Sequence, residues 1–103
     1  MIGKHTPGPW QTKPEECGVP YIRVRGTVLG GRHKIANVIT PVYEGVHQRE
    51  LEETRANARL IAAAPDLLFQ LLAASNYIDA LGGDGNSYRA AIAKATGQEG
   101  GAA

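Results

Sequence analysis

Tyr21-Ile22-Arg23-Val24-Arg25-Gly26-Thr27-Val28-Leu29-Gly30-Gly31-Arg32-His33-Lys34-Ile35-Ala36-Asn37-Val38-Ile39-Thr40 is the stretch that decides the fold class. Two runs rich in β-branched residues, 21–29 and 32–40, flank the pair Gly30-Gly31. The tightest hairpin turn needs φ > 0 at its two central positions, and Gly-Gly meets that need without steric cost. Such a turn sets Leu29 opposite Arg32, Ile22 opposite Ile39, Val24 opposite Asn37 and Val28 opposite His33. Ile22, Val24, Val28, Ile35 and Ile39 are then expected on a core face. Tyr21, Arg23, Arg25, Thr27, Arg32, Lys34, Ala36 and Val38 are expected on the other face, which is basic with an aromatic at one end.

Before this ribbon, Pro7 and Pro9 bracket Gly8, which excludes helix and favours extended chain. A short strand is expected at Trp10–Lys13, stopped by Pro14, with a loop over 15–20. After the ribbon, 41–47 reads as a linker. From Gln48 the apolar period becomes helical, with Leu51, Ala58, Ile61 and Ala62 on one side. Pro65 is expected to end that helix and open the next, because proline suits the first turn of a helix. The second helix, 65–81, is apolar nearly all round and reads as the central core element, buried on more than one side. A glycine-rich break follows at 82–86. Ser87 is placed as the N-cap of a third helix and Gly97 as its C-terminal stop. The expected architecture is α+β: a three-stranded antiparallel sheet at the N-terminal end, packed against two or three C-terminal helices. Residues 1–97 form one domain in this reading and 98–103 a flexible tail.

Composition narrows the function classes. Lys and Arg total 11 against 10 Asp and Glu in 103 residues, so the chain lacks the strong basic bias of a duplex-binding protein, and a nucleic-acid partner is not expected. The single Cys17 excludes an intramolecular disulfide and, by itself, a metal cluster. His5, His33 and His47 show no metal-ligand spacing, so neither metal nor cofactor is expected. No apolar run is long enough to span a bilayer and no signal segment opens the chain, which leads to the expectation of a protein in the bacterial cytoplasm. No activated nucleophile or paired carboxylate with a defined role emerges, so a non-enzymatic protein is expected.

Two further strings stand out: His5-Thr6-Pro7-Gly8-Pro9-Trp10, and Ala56-Asn57-Ala58-Arg59-Leu60-Ile61-Ala62-Ala63-Ala64-Pro65-Asp66-Leu67-Leu68. On these strings the chain resembles a family of small phage and prophage proteins that carry both. The resemblance implies a phage origin and no particular activity. It makes host takeover or anti-defence the natural setting.

The binding residues expected from the residues themselves are Arg23, Arg25 and Lys34 for an anion, with Tyr21 or Trp10 stacking on a base. Clustered guanidinium groups beside an aromatic suit phosphate and base recognition. The most concrete reading is a sponge for a small anionic nucleotide, such as a cyclic one. A protein–protein inhibitor of a host enzyme and a structural phage accessory are its rivals. The spare apolar surface of the second helix points to a homo-oligomer. Arg55 and Arg59, four apart, share a helix face, with Glu52 the expected partner of Arg55.

Overall fold

The computed structural model describes residues 3–31, 33–39 and 48–98, which group into two compact units. One spans Thr6–Pro65; the other joins Met1–His5 to Asp66–Ala103. The class is α+β, with a three-stranded antiparallel sheet followed by three helices. The expected linker at 41–47 and the tail from 99 onward lie outside the described residues, as does Arg32.

In the first unit, strands β1 (Trp10–Thr12), β2 (Tyr21–Gly26) and β3 (Lys34–Ile39) form a sheet in the order β1-β2-β3. Helix α1 (Gln48–Ala62) lies against all three strands. Strand side chains alternate between faces, and β2 follows the rule without exception: Ile22, Val24 and Gly26 are buried while Tyr21, Arg23 and Arg25 are half-buried. Val24 is wholly inaccessible, and Ala58 of α1 is 1% exposed. A methyl side chain at 58 allows the helix axis to approach the sheet closely. Thr54, one turn earlier, is also buried, and its hydroxyl donates to the Glu50 carbonyl, so its polar group is satisfied.

The hairpin register differs from the expected one. Tyr21 pairs with Ile39, Ile22 with Val38, Arg23 with Asn37 and Val24 with Ala36; Arg25 then pairs with Lys34, an irregularity that leaves Ile35 without a partner. The chain does not reverse in two residues. Val28–Gly31 form a short 3-10 helix, with Gly30 at φ +69°, and the last rung is Gly26 N–H donating to the His33 carbonyl. A one-residue slip turns a strand's side chains to the opposite face. Ala36 and Val38 therefore share the α1-facing side with Val24 and Ile22. Ile39, expected in the core, is 76% exposed beside Tyr21, and Val28 is 41% exposed. The hydrophobic alternation was read correctly on β2 and inverted over most of β3.

The two conspicuous strings meet in this unit. A Cβ on Gly8 would lie 2.7 Å from Cβ of Pro65, closer than real Cβ atoms approach, so glycine is required there by the proline ring packed on it. The Gly8–Pro9 peptide is cis. Thr27 closes the same corner, with both its N–H and its hydroxyl donating to the Pro9 carbonyl at 3.1 and 2.8 Å.

Helix α2 (Ala64–Ala80) begins, as expected, at Pro65 within its first turn, where a missing N–H costs no helical hydrogen bond. Helix α3 (Asn86–Thr96) follows a glycine-rich turn. Its N-cap is Gly85 rather than the expected Ser87, and the Asp84 carboxylate accepts the Asn86 N–H at 2.9 Å. Arg89 ties the turn down by donating to Asp79 of α2 and to the Asn86 amide. Gly97 ends α3 in the left-handed conformation, φ 75° and ψ 20°, and the Gln98 N–H reaches back to the Ala93 carbonyl.

The expectation that α2 is the core element of the chain is corrected. Ser75 is its only buried residue, while Leu67, Phe69, Tyr77 and Leu81 just beyond its end are all more than half exposed. Within its own unit, α2 runs 17 residues and α3 only 11, so the shorter helix covers part of one side. The apolar circumference read from the sequence is real; most of it faces outward.

Candidate functional site

The outer face of the sheet carries the residues expected to bind an anion. Tyr21, Arg23 and Arg25 share it because they alternate on β2, independently of the register with β3. Lys34 joins them directly opposite Arg25. Trp10 does not: it pairs with Gly26 and so belongs to the side of Ile22 and Val24. Its indole N–H donates to the Thr6 carbonyl at 3.0 Å, folding the ring into its own N-terminal segment.

The two arginines on this face are engaged. Arg23 forms a 2.8 Å ion pair with Glu16 and a longer bond to the Pro14 carbonyl. Arg25 donates to the carbonyls of Val24 and Ala36 at 2.9 and 3.1 Å, and to the Asn37 amide oxygen at 3.1 Å. It thus caps backbone groups at the β2–β3 irregularity. Arginine suits this work because its planar fork carries five donors. A ligand would have to displace these bonds.

A second basic region lies on the helix side of the same unit. A cleft of about 370 Å³ opens between the end of β1 and α1. Ile22 and Ala58 form its apolar floor; Thr12, Lys13, Pro14 and Glu15 form one wall; Arg55 and Arg59 form the other. Arg55 is clamped by Glu15, donating through Nε at 2.9 Å and Nη2 at 3.2 Å. Those hydrogen bonds, then the charge of Glu15, hold the guanidinium protonated more firmly than usual, with Glu52 adding a smaller electrostatic contribution. Arg55 thus gives its hydrogen bonds to Glu15, forty residues away, while the expected partner Glu52 acts on it electrostatically as the smaller contributor. Lys13 and Arg59 make no side-chain hydrogen bond or ion pair among the described residues. Three cations against one carboxylate leave the cleft with two positive charges in excess.

Sequence reasoning missed this cleft. Its only advance signal was the i,i+4 spacing of Arg55 and Arg59, since Lys13 is brought to them by the fold. Among the described residues, no three His, Cys, Asp or Glu side chains converge as metal ligands would. Cys17 is exposed and unbridged. No single described helix is long and apolar enough to cross a membrane.

Over residues 1–99 the chain matches the family described as Salmonella phage P22 protein Y8K6. It belongs to that family. Among curated proteins and among solved structures nothing matches the chain. The match covers both units of this P22 family member, from the proline-bracketed entry to the end of α3.

Proposed function

We propose that this phage protein is a non-enzymatic accessory protein that captures a small anionic ligand, of the nucleotide class, in the cleft between β1 and α1. The observation that carries the reading is the pair of unengaged cations, Lys13 and Arg59, on opposite walls above an apolar floor. Phosphate oxygens would meet the cations, and a flat ring would lie against Pro14 at the cleft wall. Charge-assisted contacts supply affinity and direction, while the apolar floor supplies burial. The cleft is favoured over the outer sheet face because Lys13 and Arg59, unlike Arg23 and Arg25, have no side-chain partner among the described residues to give up. In the setting of a phage infection, such capture would remove a host nucleotide signal from circulation.

The test is calorimetric titration of the protein with linear and cyclic mono- and dinucleotides. Removing one charged donor from phosphate costs about 1.5–3 kcal/mol, or roughly ten- to a hundredfold in affinity. Arg59→Ala and Lys13→Ala are expected to show that loss, whereas Lys34→Ala on the outer face leaves affinity unchanged. Equal affinity in the Arg59 and Lys13 variants moves the site elsewhere. Failure of every nucleotide to bind removes the ligand class and transfers the reading to inhibition of a host protein.

A further inference from the structure

We propose that α2 is the interface for a second copy of this chain, which docks antiparallel along the seam Leu67, Gln70, Ala74, Tyr77 and Leu81. The inference is independent of the ligand cleft, all of whose lining residues lie on other elements.

The exposure pattern on α2 is ordered. At 100° per residue, Leu68, Leu71, Leu72, Ser75 and Ile78 cluster on one side, and these are the buried or half-buried positions. Leu67, Gln70, Ala74, Tyr77 and, one residue past the helix end, Leu81 all fall within an arc of about 80° that flanks the buried side, and all five are exposed. Their spacing of three, four, three and four residues is the seam spacing of two helices packed side by side. Leu67, Tyr77 and Leu81 are 53, 67 and 69% exposed. A solvated helix face has no physical reason to hold two leucines and a tyrosine at this spacing; an interface has.

The occupant follows from the seam's symmetry, charge and area. Large residues stand at both ends and the smallest, Ala74, stands midway. A two-fold axis at Ala74 sets Leu67 beside Leu81 of the second copy and brings Gln70 near its Tyr77, where carboxamide and phenol can bond. The small side chain at the centre permits the closest helix approach. No seam residue is charged, so an identical copy meets no like-charge repulsion, and a strongly charged partner would gain nothing here. Complete coverage of the five side chains on both copies would remove no more than about 1,000 Å² of surface, at the small end for a specific interface.

The test is sedimentation across the micromolar range, with circular dichroism to confirm retained helix. The full chain is expected at twice its monomer mass. Ala74→Glu and Tyr77→Glu are expected to give monomers of unchanged helicity. Phe69→Glu is the control, because Phe69 is 64% exposed but lies outside the seam arc; it should stay dimeric. In a Cys17→Ser background, Ala74→Cys should form a disulfide-linked dimer under mild oxidation and Phe69→Cys should not. A monomeric wild type throughout the range overturns the proposal. So does a Phe69→Glu variant that dissociates as readily as Ala74→Glu, or cross-linking through position 69 rather than 74.

Discussion

The two units of the chain solve the burial problem in opposite ways. The sheet and α1 close on each other: Val24, Ile22 and Ala58 are out of water, and Arg23, Arg25 and Arg55 each find a carboxylate or carbonyl nearby, whereas Arg59 finds none among the described residues. In the other unit, Ile92 of α3 and Ser75 of α2 are the buried helical side chains, and leucines, a phenylalanine and a tyrosine remain outside. Both start from a hydrophobic pattern. A sheet offers a broad face that one helix can cover, whereas a helix apolar all round needs more neighbours than an 11-residue partner supplies. The contrast is between a unit with a closed core and a unit with apolar surface left exposed.

The sharpest way to break that comparison is Val24→Asp. An unpaired carboxylate at a site with no solvent access is expected to cost about 4 kcal/mol or more and to unfold the sheet unit, as read by chemical denaturation. A folded, fully helical and sheet-containing variant would show that the core is elsewhere. Gly8→Ala comes next. Its added methyl meets the rigid Pro65 ring and should cost about 1–3 kcal/mol as overpacking. Unchanged denaturation midpoints would mean that the proline-bracketed entry does not depend on that contact.

Smaller effects sharpen the contrast. Gly97→Ala places a side chain at φ 75° and should cost about 1 kcal/mol, visible as earlier fraying of α3 in hydrogen exchange. Phe69→Lys, on the open side of α2, should shift stability by no more than about 0.5 kcal/mol. A large loss there would show that the side chain is buried in solution. Arg23→Ala removes a partly exposed ion pair and should change stability by less than about 1 kcal/mol, with the difference fading as salt is raised.

Much of the fold was legible because local chemistry imposed it. Proline at 65 separated two helices, Gly97 stopped the third, and alternation on β2 sorted Ile22 and Val24 from Arg23 and Arg25. The register was misread because Gly30-Gly31 satisfied a tight-turn rule that the chain did not use; a 3-10 turn and an unpaired Ile35 shifted β3 by one residue. Tyr21, Arg23 and Arg25 kept their outer face because alternation on β2 alone sets it, and the irregularity at Ile35 returned Lys34 to the same side. Of the cleft, only the shared helix face of Arg55 and Arg59 was legible.

By itself, the sequence determined the order of helices and strands, the apolar excess of α2 and the phage family, because these rest on periodicity, on turn chemistry and on a family match along residues 1–99. Only the tertiary structure decided which charges are spent and which are open. Glu15 takes Arg55 from forty residues away, and Lys13 lines the same cleft as Arg59. Such pairings depend on where α1 lies on the sheet, a distance in space that no local spacing encodes.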